Sequence, residues 1–286
     1  MQREKTNLPG AFLSPFGAWG LAFGFAVGWG AFVMPGTSFL PGAGPLGTAI
    51  GVALGAAAMA VFAWNYHVLV RHRPGPGGAF AYAHDVLGPD YGFLVAWSLL
   101  LAYLAILWAN ATALVLLVRH VAGGAFQVGF HYRLAGFDVW LGEVGFCVAA
   151  IAAAGMLCLA KRTAARVNLG LMLLFSGCVA LCFAAALAKH EGGLAAMTPA
   201  FAPGTGRGPV RQVLAILGMM PWAFVGFEAI TNLSGEFAFD AHRTFRPMLW
   251  AIVAAAAAYV ALALLPAMAH PDGFSSWPDY LAGASR

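Results

Sequence analysis

The chain has 286 residues, of which 61% are hydrophobic and only 9% are Asp, Glu, Lys or Arg. A soluble domain carries roughly 25% charged residues because its surface faces water, so this composition excludes an ordinary soluble globule and predicts a polytopic, all-α membrane protein. The net charge of +4 is not gathered into a dense basic stripe. The expected surroundings are therefore a lipid bilayer, and no nucleic-acid partner is expected.

Seven apolar windows reach the roughly 20 residues that a membrane-spanning helix needs. We predict helices over 13–35, 46–70, 91–118, 140–160, 168–188, 212–234 and 248–268. Five of these windows contain no Asp, Glu, Lys or Arg. Glu143 lies near one end of the fourth window, and Glu228 lies deep inside the sixth.

The basic residues predict the orientation of these helices. With the N-terminus in the cytoplasm, the inner segments, which include Arg3 and Lys5, hold nine of the 15 Lys and Arg residues. The outer segments hold six, which include Arg286, although they are longer. Because cytoplasmic loops carry an excess of Lys and Arg, we expect a multi-pass protein of the cell membrane with a cytoplasmic N-terminus.

The first window contains a cluster of helix-weakening residues. Gly28 and Gly30 flank Trp29, and Pro35 and Gly36 follow shortly afterwards. A helix interrupted inside the membrane exposes backbone N–H groups at the start of its second half, which suits an anionic group such as a carboxylate. The alternative is a glycine hinge that serves helix packing alone.

Two further windows contain polar side chains in apolar surroundings. Asn110 in the third window either bonds neighbouring helices or faces a pore. Glu228 in the sixth window follows Pro221 and Gly226. A carboxylate inside a membrane is costly and is more often functional than structural, the alternative being a protonated side chain that bonds across helices.

Motifs of several other protein classes are absent from the sequence. It has no GxSxG nucleophile loop and no HExxH metal pair, and Gly75–Gly78 lacks the Lys-Ser/Thr of a phosphate-binding loop. The seventh window has no Lys for a retinal Schiff base. The four cysteines lie in apolar windows without a CxxC pair, so packing is expected of them. We expect no enzyme activity, no metal and no cofactor.

Three motifs together resemble the amino acid–polyamine–organocation (APC) superfamily of secondary transporters. Gly28–Gly36, GWGAFVMPG, resembles the G-S/A-G-I-F-x-x-P-G signature of the first helix in that family. Pro74–Tyr82, PGPGGAFAY, resembles the P-x-x-G-G-x-x-x-Y stretch before the third helix. Phe224–Leu233, FVGFEAITNL, resembles F-x-G-F-E-A-x-T-N-L in the sixth. The order and spacing of the motifs extend the resemblance over essentially the whole chain.

The resemblance implies two inverted five-helix repeats, with discontinuous first and sixth helices that meet at mid-membrane. It also implies transport of amino acids or related amines by alternating access. The substrate carboxylate would then bind amides near Gly28, and its amino group would face carbonyls between Ala223 and Gly226, with Trp222 or Phe224 as the gate. The substrate-binding residues that the resemblance implies are Gly28, Trp29, Gly30, Ala31, Asn110, Trp222, Ala223, Phe224, Val225 and Gly226. Glu228 is the candidate for coupling to protons, while sodium coupling and exchange of a second substrate stay open.

The chain departs from the family pattern in three respects. Trp29 stands where a small residue is usual, which puts the shape of the pocket in doubt. The fifth window lacks the Lys that some proton-coupled members carry, and Lys161 precedes it. Family members have ten to twelve helices, so we expect a single permease domain over 1–286 that is the N-terminal part of a longer fold. The alternative functions are a non-transporting membrane sensor and an inactive permease fragment.

Overall fold

The computed structural model describes residues 11–189, 197–269 and 273–284. Arg3, Lys5 and Arg286, which entered the prediction of orientation, lie outside the described residues. The helices are α1 (Pro15–Ala26), α2 (Gly30–Met34), α3 (Leu40–His72), α4 (Gly78–Leu87), α5 (Pro89–Ala122), α6 (Leu141–Leu159), α7 (Lys161–Lys189), α8 (Pro209–Ala223), α9 (Phe245–Met268) and α10 (Trp277–Ala284).

Shorter elements join or follow these helices. A single π-helical turn, Pro35–Phe39, connects α2 to α3. Two 3-10 helices follow α8, one at Phe227–Glu236 and one at Ala241–Arg243. Strands β1 (His131–Leu134) and β2 (Phe137–Trp140) form an antiparallel hairpin.

Six helical stretches in the described part of the chain are long and apolar enough to cross a membrane. They are Gly30–His72, Pro89–Ala122, Leu141–Leu159, Lys161–Ala188, Pro209–Glu236 and Ala241–Met268. The predicted polytopic helical bundle is therefore confirmed.

The predicted count of seven differs from the six found because the first window does not form one helix. Helix α1 begins at Pro15, where the Ser14 side chain accepts a hydrogen bond from the Gly17 N–H at 3.1 Å, and it ends at Ala26. The chain becomes helical again at Gly30 and continues into the second window as one 43-residue stretch. Within that stretch the backbone departs from helical geometry at Gly44. The first predicted helix was thus wrong at its C-terminal end.

The described chain divides into two compact units, one formed by residues up to Ala79 together with those from Val167 onward, and one formed by Phe80–Arg166. In the first unit α3 packs against α8 and α9, and α1 packs against α9. Gly51 and Gly55 lie on the face of α3 against Ile216 and Met220 of α8. Small residues four apart allow this close contact between helices.

Helix α7 contacts α1 through a polar side chain in the same unit. The Asn168 side-chain amide donates to the Gly20 carbonyl oxygen at 2.8 Å. The side-chain oxygen and nitrogen of Asn168 also lie against Gly24, one turn further along α1. An uncharged hydrogen bond therefore joins α7 to α1, the first half of the broken helix.

The second unit contains α5, the hairpin and α6. The hairpin was not predicted, although its two-residue turn at Ala135 and Gly136, both with positive φ, is a common connection between antiparallel strands. Glu143 lies in the first turn of α6, at the end of its span as predicted. It accepts two hydrogen bonds from the Arg119 guanidinium of α5, at 2.5 and 2.6 Å.

Candidate functional site

The first helix is interrupted between α1 and α2. Val27, Gly28 and Trp29 lie outside both helices. The Gly28 carbonyl oxygen accepts a hydrogen bond from the Ala31 N–H at 3.0 Å, and that of Trp29 accepts one from the Phe32 N–H at 3.0 Å. Within the described residues, no acceptor contacts the N–H groups of Gly28 and Gly30. Two backbone donors are therefore open at the break.

The sixth predicted helix is also interrupted. Helix α8 ends at Ala223, and the chain resumes as a 3-10 helix at Phe227. At Gly226 φ is 117°, in the region that favours glycine. Across the described ranges, no donor contacts the carbonyl oxygens of Phe224 and Val225. The second break therefore presents open acceptors, where the first presents open donors.

The two breaks lie against each other. A Cβ atom at Gly226 would collide with the carbonyl oxygen of Phe25, the residue before the end of α1. A Cβ atom at Gly30 would lie 2.6 Å from Cη2 of Trp222. The structure thus brings the predicted residues of the first helix together with those of the sixth.

Tyr259 of α9 joins the ends of both half-helices, and the sequence did not single it out. Its hydroxyl group donates to the carbonyl oxygen of Ala223, the last residue of α8, at 2.7 Å. The carbonyl oxygen of Ala26, the last residue of α1, lies 3.4 Å from the same hydroxyl oxygen. Tyr259 is only 1% exposed. The one sequence signal for this role is a hydroxyl group in an otherwise apolar span.

Aromatic side chains surround the two breaks. Phe224 is fully buried, and its ring lies 5.9 Å from that of Tyr259. Trp222, in contrast, is 57% exposed while its ring covers Gly30. Of the two gate residues that the resemblance implies, Trp222 therefore contacts the first break and Phe224 packs behind the second. Ala31 is fully buried, and its N–H is bonded to Gly28.

Glu228 lies at the start of the 3-10 helix that follows the second break. Its Oε2 accepts a hydrogen bond from the Gly226 N–H at 2.8 Å. The carboxylate also accepts from its own backbone N–H. Acceptors are favoured at a helix N-terminus, where N–H groups lack partners inside the helix. Glu228 therefore binds the backbone of the break itself.

Asn110 lies in the second unit, on α5. Its side-chain amide donates to the Ile106 carbonyl oxygen of the same helix at 2.8 Å. Its predicted part in substrate binding stays a prediction.

The second and third sequence motifs contact each other in the first unit. The Gly75 N–H donates to Ser234 Oγ at 3.1 Å, and that hydroxyl group donates to the Gly75 carbonyl oxygen at 2.5 Å. Gly78 lies against the side chains of Thr231 and Asn232. The glycine-rich loop after α3 is therefore attached to the 3-10 helix.

The chain on either side of the broken helices is paired through its backbone. The N–H groups of Phe12 and Leu13 donate to the Glu236 carbonyl oxygen at 3.0 and 2.9 Å. The Ala238 N–H donates to the Leu13 carbonyl oxygen at 2.9 Å. The residues before α1 and those after the 3-10 helix thus run side by side, with Leu13 opposite Phe237.

Comparison with protein families agrees with this arrangement. The model of a family described as amino acid permease matches residues 13–278. The chain belongs to the amino acid permease family. With the six apolar spans, this membership identifies a multi-pass membrane protein of the APC type.

A curated relative is the methylthioribose transporter of Bacillus subtilis (strain 168). The two sequences are 34% identical over 110 residues. The match covers 38% of this chain and 24% of the relative.

Proposed function

We propose that the protein is a secondary active transporter that moves an amino acid or a related amine across the membrane by alternating access. The observation that carries the proposal is the contact between two interrupted helices, one with open N–H groups and the other with open carbonyl groups. In membrane transporters the N-termini of such half-helices face anionic groups of a substrate, and the open carbonyl groups coordinate cations. Membership of a permease family agrees with this function.

In the proposed site, the two charged groups of a zwitterionic substrate bind different helix breaks. The substrate carboxylate binds the N–H groups of Gly28 and Gly30 at the start of the 43-residue helical stretch. The amino group binds the carbonyl groups of Phe224 and Val225 beyond the end of α8. Partial positive charge at a helix N-terminus and partial negative charge at a C-terminus favour this division. Trp29 and Trp222 border the site and restrict the substrate side chain.

Glu228 is the proposed coupling residue. Its carboxylate bonds the Gly226 N–H, so a change in its charge acts directly on the backbone of the second break. Protonation weakens a hydrogen bond in which the carboxylate accepts from N–H. Coupling by sodium or by exchange of a second substrate is the alternative outcome.

A second candidate substrate is a neutral thiosugar. The relative from Bacillus subtilis is named a methylthioribose transporter. Trp29 also stands where the family usually has a small residue, which reshapes the pocket beside Gly28 and Gly30. Open N–H and carbonyl groups bind sugar hydroxyl groups as well as charged groups.

Uptake into proteoliposomes tests the proposal. Radiolabelled amino acids, amines and methylthioribose are offered with and without proton and sodium gradients. Gradient-dependent uptake of an amino acid or amine supports the proposal, and uptake of methylthioribose alone supports the second candidate. Glu228→Gln is expected to abolish proton-driven uptake, while Asp279→Asn, which removes an exposed carboxylate on α10, leaves it unchanged.

Binding is measured on the same preparations by thermal stabilisation, since a ligand that binds the folded state raises the apparent stability by mass action. Stabilisation by an amino acid without uptake would contradict transport and favour the non-transporting sensor. The absence of both binding and uptake would favour the inactive fragment.

A further inference from the structure

Two half-helices end at one side chain. Helix α1 ends at Ala26 and helix α8 ends at Ala223, and both terminal carbonyl oxygens lie within reach of the Tyr259 hydroxyl group. Tyr259 belongs to a third helix, α9, that packs against α1. The substrate groups proposed above follow at once in the chain, since Gly28 lies two residues beyond Ala26 and Phe224 directly follows Ala223.

The chemistry of helix ends explains why a donor is needed there. The last carbonyl groups of a helix have no partner inside the helix and carry a partial negative charge. Two such ends that approach each other in a medium of low dielectric constant repel, and a buried acceptor without a donor is destabilising. The Tyr259 hydroxyl group supplies the missing donor without a net charge.

Because the hydroxyl group has a single proton, its contacts with the two carbonyl oxygens are unequal. A tyrosine hydroxyl group has one O–H to donate. The 2.7 Å distance to Ala223 is that of an ordinary O–H···O bond, whereas 3.4 Å to Ala26 is long. The hydroxyl group is therefore bonded to α8 and stands beside the end of α1.

We propose that Tyr259 is a positioning residue that holds the C-terminal ends of α1 and α8 together. It thereby sets the spacing between the open N–H groups of Gly28 and Gly30 and the open carbonyl groups of Phe224 and Val225. This inference rests on the proposed function for its effect on transport. Its structural part, the approach of both half-helix ends to one hydroxyl group, is tested without any substrate.

The ring of Tyr259 is held independently of its hydroxyl group. It packs against Phe39 and against Phe224, each at a centroid distance of 5.9 Å. Tyr259→Phe therefore removes the donor and keeps the packing. Tyr280→Phe is the matched control, because Tyr280 lies on α10, with its ring against Phe274.

The first measurement is the distance between spin labels on α1 and α8. Labels are placed at the exposed positions Phe16 and Leu214 in a variant with all four cysteines replaced. We expect Tyr259→Phe to at least double the width of the distance distribution and Tyr280→Phe to leave it unchanged. An unchanged width in Tyr259→Phe would overturn the inference, whether or not the protein transports an amino acid.

The second measurement separates positioning from stability. If the wild type transports an amino acid, Tyr259→Phe is expected to raise KM about tenfold, the order of magnitude of one lost hydrogen bond, with kcat within about twofold of the wild type. A merely structural role would reduce the amount of active protein and leave KM unchanged, and that result would overturn the inference. If the wild type transports none of the substrates offered, the proposed function fails. The distances between the spin labels then test the positioning role of Tyr259 by themselves.

Discussion

Two features of the structure require glycine at position 226. Its φ of 117° is one that side chains with a Cβ atom rarely adopt, and a Cβ atom there would collide with the Phe25 carbonyl oxygen. In soluble proteins a left-handed conformation costs a residue with a Cβ atom roughly 1–2 kcal/mol. The collision adds to that figure, because a backbone carbonyl group cannot rotate away like a flexible side chain.

We expect Gly226→Ala to destabilise the protein by about 2 kcal/mol or more, measured as a lower melting temperature in detergent. The matched control is Gly218→Ala in the same interrupted helix. A Cβ atom at Gly218 has no neighbouring atom within 4 Å, so that variant is expected to melt at or above the wild-type temperature. Equal melting temperatures for the two variants would contradict the reasoning.

The sequence predicted some residues of the two helix breaks and missed contacts around them for physical reasons. Gly28, Gly30 and Gly226 were predictable because helix-weakening residues are unusual inside an apolar span. Glu228 was predictable because a carboxylate is costly there. Tyr259 and Asn168 were not, since their roles depend on which carbonyl groups of other helices they meet. The order of residues along the chain does not show which groups of different helices meet in the fold.

At the scale of elements, the part-buried ion pair of Arg119 and Glu143 joins α5 to α6 at the hairpin. Glu143 is 2% exposed, and the Arg119 guanidinium also donates to the Asp138 carbonyl oxygen of β2. The second pair nearby, between Arg133 and Asp138, is exposed, and its nitrogen and oxygen lie 4.0 Å apart. Removing one partner of a fully buried pair costs about 3–5 kcal/mol, whereas exposed pairs contribute about 0–1 kcal/mol. The Arg119 side chain is 28% exposed, so the pair with Glu143 lies between these limits.

Glu143→Gln is therefore expected to increase hydrogen–deuterium exchange across residues 131–140 markedly, because it leaves the Arg119 charge uncompensated. Asp138→Asn removes a carboxylate from the hairpin while keeping the backbone carbonyl group that Arg119 binds. We expect exchange in Asp138→Asn close to that of the wild type. Comparable exchange in both variants would show that the part-buried pair does not hold the hairpin.

Ser234 attaches the glycine-rich loop to the 3-10 helix, and its loss is expected to free that loop. Ser234→Ala leaves the Gly75 N–H and carbonyl groups without this partner. The expected cost is about 1 kcal/mol, with faster exchange over residues 73–78. Ser176→Ala is the control, because the Ser176 hydroxyl group bonds the Met172 carbonyl oxygen of its own helix. Loop exchange that is unchanged in Ser234→Ala would refute the attachment.

The limits of several helices were predictable, and the failure of the first window has a local cause. Helices α5 and α6 begin and end within four residues of the predicted windows, because hydropathy changes sharply at their ends. The first window failed because hydropathy does not change at Val27–Trp29, where the helix stops, or after Pro35, where it continues. A helix break among apolar residues leaves no mark in hydropathy.

At the scale of the whole molecule, composition predicted the environment correctly. Trp97, Leu101 and Leu104 of α5 are among the large apolar side chains that are exposed in the absence of lipid. Such exposure is a liability in water and is normal for a surface that faces hydrocarbon. The class was therefore predictable from overall composition. The substrate was not predictable from it, because composition does not show which groups face a binding site.

We expect the loop after α3 and the hairpin to face opposite sides of the membrane. With a cytoplasmic N-terminus, a cysteine replacing His72 is inside and one replacing Leu134 is outside. In a background without native cysteines, a membrane-impermeant maleimide added to intact cells should label Leu134→Cys and spare His72→Cys until the cells are permeabilised. The reverse pattern would place the N-terminus outside.

The pairing of the chain at Leu13 and Phe237 constrains how the protein can move. Three backbone hydrogen bonds contribute to it. A motion that swings α1 away from the 3-10 helix must break all three bonds, whereas a motion that carries both segments together breaks none. We therefore expect the chain to bend at the two helix breaks while the paired segments move together.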